Sequence, residues 1–324
     1  VTAPLGKPDQ KGFAGRRLVV TGGAGFIGSH LAHRLAALGA HVAVIDDLSS
    51  GSRENLPADL AGFFKADIRD RPTLGRVFSE FRPEIVFHQA AQISVSVSVR
   101  EPAHDASINI MGLLNILEEC IVHGVSRFVF ASSGGTLYGE VSDRPARERD
   151  PLIPKSPYGI AKQASEGYLD FFSREHGLES VSLRYANVYG PRQDPQGEAG
   201  VVAIFSNLLL SGQAPTIFGD GSQVRDYIHV ADVVEANIAA ALAAEVSAAY
   251  NIGTGVGTDV NTLYAKVTKA LGAKVTPIYG PARPGDLQRS ILDATKAAAE
   301  LGWTPSIALD EGIKDAVDWF SQRP

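Results

Sequence analysis

Arg17-Leu18-Val19-Val20-Thr21 runs directly into Gly22-Gly23-Ala24-Gly25-Phe26-Ile27-Gly28, after which apolar residues recur at Ile27, Leu31, Leu35 and Leu38. A short apolar run closed by glycine reads as a buried strand, and apolar positions three to four apart read as one face of a helix. Gly39 stops that helix, and His41-Val42-Ala43-Val44-Ile45 is a second strand ending at Asp46. Strand, glycine loop, helix and strand in so short a span allow little besides a βαβ unit with parallel strands. Gly22 suits the tight turn, Gly25 lets backbone approach a pyrophosphate, and Gly28 lets helix pack on strand. The spacing is Gly-x-x-Gly-x-x-Gly, not the more familiar Gly-x-Gly-x-x-Gly. The helix N-terminus then offers N–H groups to phosphate. Asp46 can accept hydrogen bonds from the adenine ribose hydroxyls, and its charge repels a 2′-phosphate, which favours NAD over NADP. Arg53, in the loop that follows, reads as a surface charge.

The alternation continues through Gly62 to Ala66, Pro72 to Glu80, Glu84 to His88, Ala106 to His123, Arg127 to Ala131 and Ser180 to Arg184. Strands alternating with helices predict an α/β fold, a doubly wound parallel (Rossmann) sheet with helices on both faces. Past Asn187 the rhythm breaks: Pro, Gly and Gln gather between Gly190 and Gly200, and later elements are shorter. Residues 1–183 are therefore expected to form the dinucleotide domain, with 1–12 a loose arm. Residues 184–324 are expected to form mainly a smaller α/β substrate domain, with about 229–253, including a helix at Ala231 to Ala244 and a strand at Ala249 to Ile252, returning to the first sheet. A length of 324 residues and 44% hydrophobic content suit such a core, and a net charge of −6 gives no reason to expect nucleic acid. The single cysteine, Cys120, lies in an apolar run and reads as a buried thiol in a reducing, cytoplasmic setting. No apolar run is long enough to suggest a membrane partner.

A second pattern carries chemistry. Ser156-Pro157-Tyr158-Gly159-Ile160-Ala161-Lys162 sets a phenol and an ammonium four residues apart, on one face of a helix. Ser156 suits the N-cap and Pro157 the first helical position, so Tyr158 falls in the first turn, where the helix dipole favours phenolate. A positive charge about 4 Å away at an effective dielectric of ~20 is worth about 4 kcal/mol, enough to bring a tyrosine pKa from about 10 towards 7.

Together with these stretches, Asp46-Asp47-Leu48-Ser49, Ala66-Asp67-Ile68-Arg69-Asp70, His88-Gln89-Ala90-Ala91, Ser132-Ser133, Leu183 to Pro191, Arg225 to Val230 and Arg283-Pro284-Gly285-Asp286 follow in order. The chain thereby resembles the extended short-chain dehydrogenase/reductases, in their nucleotide-sugar epimerase branch, over nearly all of it past residue 16. Within that branch it is most like the UDP-glucose 4-epimerases. The resemblance implies NAD as resident cofactor and inversion at C4 of a UDP-hexose through a 4-keto sugar. It implies Tyr158 as base, Lys162 as the residue that lowers its pKa and holds the nicotinamide ribose, and Ser133 as the hydroxyl partner on O4. Gly22, Gly25, Phe26, Ile27 and Gly28 would hold the pyrophosphate side of NAD, with Asp46, Asp67, Ile68, Ala90, Ala91 and Tyr185 along the rest of it. Asn187, Val201, Arg225, Arg283 and Asp286 would meet the UDP-sugar, the arginines at the diphosphate and Asp286 at the uridine ribose. A diphosphate is well served by arginine forks.

Family members have three residues between the catalytic Ser or Thr and the following Tyr-Gly; Ser133-Gly134-Gly135-Thr136-Leu137-Tyr138-Gly139 has four. Ser133 with an inserted glycine is the reading taken, with Thr136 the alternative. The sister 4,6-dehydratases and UDP-glucuronate decarboxylases carry a Glu just after that hydroxyl, which Gly134, Gly135 and Thr136 do not supply. The sugar stays open. Ser290 stands where an aromatic residue excludes an N-acetyl group, leaving UDP-N-acetylglucosamine possible, and Arg192 suits a C6 carboxylate, which keeps UDP-glucuronate in view. A net NAD(P)H-dependent reductase and a non-catalytic NAD-binding protein are the readings from other classes. His30 and His33 have no companions that complete a metal site. The likeness also implies a homodimer formed through the helices around Ala106 to His123 and Tyr158 to His176.

Overall fold

The structure, a computed structural model, describes residues 10–322 apart from 142, 196–199, 247 and 284. Residues 1–9 of the expected arm lie outside the described residues. The arm ends earlier than expected, because Gln10–Phe13 is a 3-10 turn. Phe13 is fully buried and packs against Phe87.

The strands are β1 Arg17–Thr21, β2 His41–Asp46, β3 Gly62–Lys65, β4 Ile85–His88, β5 Arg127–Ser133, β6 Glu179–Tyr185, β7 Asn187–Tyr189, β8 Thr216–Phe218, β9 Val224–His229, β10 Ala249–Ile252, β11 Gly257–Asp259, β12 Ile278–Gly280 and β13 Arg289–Ser290. The helices are α1 Phe26–Ala37, α2 Arg71–Phe81, α3 Val95–Arg100, α4 Pro102–Ala106, α5 Leu113–Val122, α6 Gly134–Leu137, α7 Pro157–His176, α8 Val201–Leu210, α9 Val230–Leu242, α10 Val260–Leu271, α11 Thr295–Leu301 and α12 Leu309–Ser321.

Seven parallel strands form one sheet in the order β10-β6-β5-β4-β1-β2-β3. Its central strands are buried on both faces, which is why they read as unbroken apolar runs. One core lies between this sheet and α1 and α9, with Leu31, Leu35, Val233 and Ile238 fully or almost fully buried. The other lies under α2, α5 and α7, where Cys120 is buried among Leu74, Phe78 and Phe128. The chain leaves β1 towards β2 on one side and β4 on the other, so a crevice opens at the carboxyl ends of these strands.

Of the remaining strands, β8 and β12 pair by themselves, and β7, β9, β11 and β13 form a smaller sheet. β9 is its hub, pairing in parallel with β7 and β13 and antiparallel with β11. Behind it α8, α10 and α12 enclose a third core around Phe205, Leu263 and Ile313. The single helix expected from Ala106 to His123 is broken: Ser107–Gly112 is π-wound between α4 and α5. Apolar periodicity alone does not reveal an inserted residue of this kind.

Candidate active site

The glycine loop after β1 is shaped by lack of room. Gly22 has φ 67°, and a Cβ there would stand 2.6 Å from the backbone nitrogen of Ala90. A Cβ on Gly28 would lie 2.2 Å from the Gly22 carbonyl oxygen. α1 begins at Gly25 without a side-chain cap, so its first N–H groups face the crevice with no side-chain acceptor. Asp46, buried at the end of β2, accepts from Ala24 N at 2.9 Å and Leu48 N at 2.8 Å. Burial pushes its carboxyl up against the pull of these bonds.

From here a cleft of about 1270 Å³ runs past Phe26, Ile27, Asp67, Ile68, Ala90 and Ala91 to the end of β5. Asp67 is held by the Arg69 guanidinium, which keeps its carboxyl below the usual range. Tyr185, also on the wall, is hydrogen-bonded to Asn237 and Gln89, and burial raises its phenol to about 12.

α7 starts as its sequence demands. Gly159 N donates to the Ser156 side chain at 3.2 Å, Pro157 occupies the first turn, and Gly177 closes the helix with φ 69°. Tyr158 and Lys162 thus share one face, and Lys162 Nζ stands 5.6 Å from the centre of the Tyr158 ring. Lys162 donates to the Ala131 carbonyl at 2.8 Å and lies 4.7 Å from the centre of the Phe130 ring. Ser133, the last residue of β5, hydrogen-bonds the Tyr158 side chain. The chain therefore brings Ser133, Tyr158 and Lys162 together.

The electrostatics differ from expectation. Burial pushes the Tyr158 phenol up to about 12; the Ser133 bond opposes this and the Asp105 carboxylate adds to it. Burial also brings the Lys162 ammonium down to about 8. Burial, the largest influence on the phenol, opposes the acidity that the helix N-terminus and the lysine favour.

At the far end of the cleft Asn187, Val201, Arg225, Arg283 and Asp286 contribute to the wall. Arg225 is paired with Asp286, and Arg283 lies 4.0 Å over the Phe218 ring. Arg192 also lines the cleft but turns towards α1. Its Nη1 donates to Ser29 Oγ at 3.3 Å and the Asn55 carbonyl at 3.4 Å. Ser290 is not on the wall; it sits in β13, in register with Arg225. His30 and His33 are bound to the carbonyls of Pro191 and Asn55, and no metal-holding cluster of His, Cys, Asp or Glu is found among the described residues.

The pattern of the NAD dependent epimerase/dehydratase family matches residues 18–253. The chain belongs to that family. It is 47% identical over 311 residues to the UDP-glucose 4-epimerase of Mycolicibacterium smegmatis, covering 95% of this chain and 99% of that one. The crystal structure of UDP-glucose 4-epimerase with UDP-glucose from Thermotoga maritima superposes with a TM-score of 0.92 at 52% identity, over 94% and 98% of the two chains. That of the Thermus thermophilus UDP-glucose 4-epimerase complex with NAD gives 0.90 at 49%, over 94% and 99%.

For an NAD dependent epimerase/dehydratase, the glycine cradle and uncapped α1 fit a dinucleotide: they combine close backbone approach with free N–H donors. Gly28→Val tests the cradle. Overpacking of about 1–3 kcal/mol should displace the loop and lower the NAD retained on purification by about tenfold, read by nucleotide release on denaturation.

The extra glycine also finds its reason. Gly134 opens α6 against Leu292, where a Cβ would stand 2.4 Å from Leu292 Cδ1 and 3.1 Å from the Arg184 carbonyl oxygen. Thr136 lines the cleft, yet its hydroxyl is buried without a partner among the described residues, whereas Ser133 is bound to Tyr158.

Behind Ser133 lies a network with no role in the sequence reading. Ser132 donates to Glu166 at 2.6 Å, Arg184 bonds both Glu166 oxygens, and Arg184 also donates to Tyr138 OH at 2.7 Å. Tyr138 donates on to Asn251 at 2.7 Å. One signal was available: Glu166 follows Lys162 by four residues and shares its helix face.

Proposed function

We propose that this chain is a UDP-hexose 4-epimerase that interconverts UDP-glucose and UDP-galactose through a 4-keto sugar, with NAD as resident cofactor. The observation that carries this reading is the Ser133–Tyr158–Lys162 cluster, in which Lys162 is buried and Ser133 and Tyr158 are half-buried. It lies in one cleft between a dinucleotide cradle and the guanidinium groups of Arg225 and Arg283. The identity to UDP-glucose 4-epimerases over nearly the whole chain supports it.

Gly22, Gly25, Phe26, Ile27 and Gly28 hold the pyrophosphate, Asp46 the adenine ribose, and Asp67, Ile68, Ala90, Ala91 and Tyr185 the rest of the cofactor wall. When bound, NAD supplies a hydride acceptor that is regenerated within the turnover, and a positive ring charge of the sign that favours phenolate. Tyr158 takes the proton from the sugar 4-hydroxyl and returns it after the ring has turned. Ser133, bonded to Tyr158, holds O4 in line, and Lys162 keeps a positive charge beside the phenol. Arg225 and Arg283 grip the diphosphate, Asp286 the uridine ribose, and Asn187 and Val201 flank the sugar. The charged groups sit at the UDP end, which leaves the hexose free to rotate. In this reading residues up to about 183, with about 229–253, hold NAD, and the rest of 184–324 closes over the UDP-sugar.

Arg192 is engaged with Ser29 and the Asn55 carbonyl, which supports a neutral hexose over UDP-glucuronate. The test is NMR of UDP-glucose, UDP-glucuronate and UDP-N-acetylglucosamine with wild type and Arg192→Ala. UDP-glucose should turn over with both proteins. A faster glucuronate rate that the substitution abolishes would reverse the assignment of sugar.

The working unit we propose is a homodimer in a reducing cytoplasm, to which a single buried thiol is suited. No helix among the described residues is long and apolar enough to cross a membrane. Ile160, Tyr168 and Phe171 recur on the outer side of α7, with Met111 and Val122 exposed on the neighbouring helical stretch. Phe171→Glu should shift the protein from dimer to monomer in sedimentation equilibrium; a wild-type monomer would contradict the assembly.

A further inference from the structure

Asp105 is 1% exposed and lies on α4, which packs against α7. Its Oδ1 accepts from Gln92 Nε2 at 2.7 Å and Asn109 Nδ2 at 2.9 Å, while its Oδ2 has no hydrogen-bond partner among the described residues. Both donors are neutral amides. The π-wound turn after α4 places Asn109 so that its amide also reaches the Gln92 carbonyl, at 2.9 Å. Ser165 of α7 donates to the Asn109 carbonyl at 3.3 Å, tying the cluster to the helix that carries Tyr158 and Lys162.

Lys162 has the complementary deficit. It is 3% exposed and donates to one carbonyl between two aromatic rings, and no carboxylate among the described residues is in ion-pair contact with it. The titratable groups that act on it are Asp105 from α4, Glu166 from its own helix and His88 from β4, beside Tyr158. His88 is bonded to Thr21 Oγ1 at 2.8 Å, and burial pushes it down to about 3, so it is neutral. Glu166 is already neutralised by the Arg184 fork. His104, which also acts on Asp105, is exposed. That leaves a buried carboxylate without a cationic partner on α4 and a buried ammonium without an anionic one on α7, the helix packed against it, and a buried charge without a counter-charge is costly.

We propose that Asp105 is the counter-ion of Lys162 and, through it, a positioning residue that fixes the charge state of the Tyr158–Lys162 pair. The effect on turnover rests on the epimerase reading; the counter-ion role does not. The carboxylate acts on both partners in one direction, favouring ammonium at Lys162 and disfavouring phenolate at Tyr158. Its removal must therefore move both ionisations to lower pH.

Asp105→Asn keeps the side-chain shape and an acceptor oxygen for Gln92 and Asn109. In the NAD-loaded protein, near-ultraviolet difference titration, referenced to the same variant carrying Tyr158→Phe, should show the phenol ionising about one pH unit lower than in wild type. Both limbs of the pH–rate profile for UDP-glucose should slide the same way. A profile reduced in height but unmoved along the pH axis, with unchanged phenol titration, would overturn the proposal. A reciprocal measurement does not depend on how Asp105→Asn folds. In Lys162→Met, the Asp105 carboxyl, followed by carbon NMR of labelled aspartate, should titrate at higher pH than in wild type, and an unchanged titration would be equally fatal. If no UDP-sugar is turned over at all, the two spectroscopic titrations still decide the counter-ion role.

Discussion

Replacing Tyr158 with Phe is expected to lower the rate of C4 inversion by about 10²–10⁴-fold, the range set by loss of a positioned acid–base group. Only the phenol oxygen is removed, from a half-buried side chain bonded to Ser133. One hydrogen bond is lost, worth about 1 kcal/mol, so the fold and the cofactor cradle should survive. Thermal unfolding and NAD content should stay close to wild type while NMR turnover collapses. Ser133→Ala should cost less, because it leaves the base in place. A Tyr158→Phe protein within a few-fold of wild type would move the base elsewhere, with Thr136 and its unpartnered hydroxyl the nearest group to examine.

The largest stability effect should come from Arg184→Leu. Its side chain is 7% exposed and holds both oxygens of Glu166, itself 12% exposed, as well as Tyr138 OH. Removing one partner of a buried pair strands the other charge and costs about 3–5 kcal/mol, which for a chain of this size lowers Tm by several degrees. Because Glu166 also accepts from Ser132, next to Ser133, turnover should fall further than the loss of folded protein explains. Glu166→Leu combined with Arg184→Leu should recover part of the stability, since no charge is then left unpaired. Calorimetry of the single and double variants reads this directly; additive losses would show that the pair is not coupled.

The parts of the fold that were legible in the sequence are those fixed by local rules. The cradle at Gly22 to Gly28 was readable because steric closeness admits only glycine at its tightest points, and α7 because Ser156, Pro157 and Gly177 punctuate it. The parallel sheet was readable because strands covered on both faces must be apolar throughout. What escaped depends on distant partners. Gln92 bonds Asp105 directly from a loop thirteen residues earlier, and a π-wound turn brings Asn109 to the same oxygen. Arg184 and Glu166 find each other across β6 and α7, and the only local sign is that Glu166 shares the helix face of Lys162. Arg192, a natural clamp for a sugar carboxylate in sequence, is drawn to Ser29 and Asn55 by a loop with φ 67°. Ser290 was read as leaving room for an N-acetyl group, and its strand sets it in register with Arg225. The Tyr158–Lys162 spacing predicted an acidic phenol; burial, which spacing does not report, pushes the other way.

The measurement that tests epimerisation most directly is turnover of UDP-glucose deuterated at C4, with no nucleotide added. UDP-galactose should form with the deuterium retained at C4, because the hydrogen leaves and returns within one closed cleft while only the O4 proton passes through Tyr158. Failure to form UDP-galactose, or formation that requires added NAD(P)H and loses the label, would contradict it.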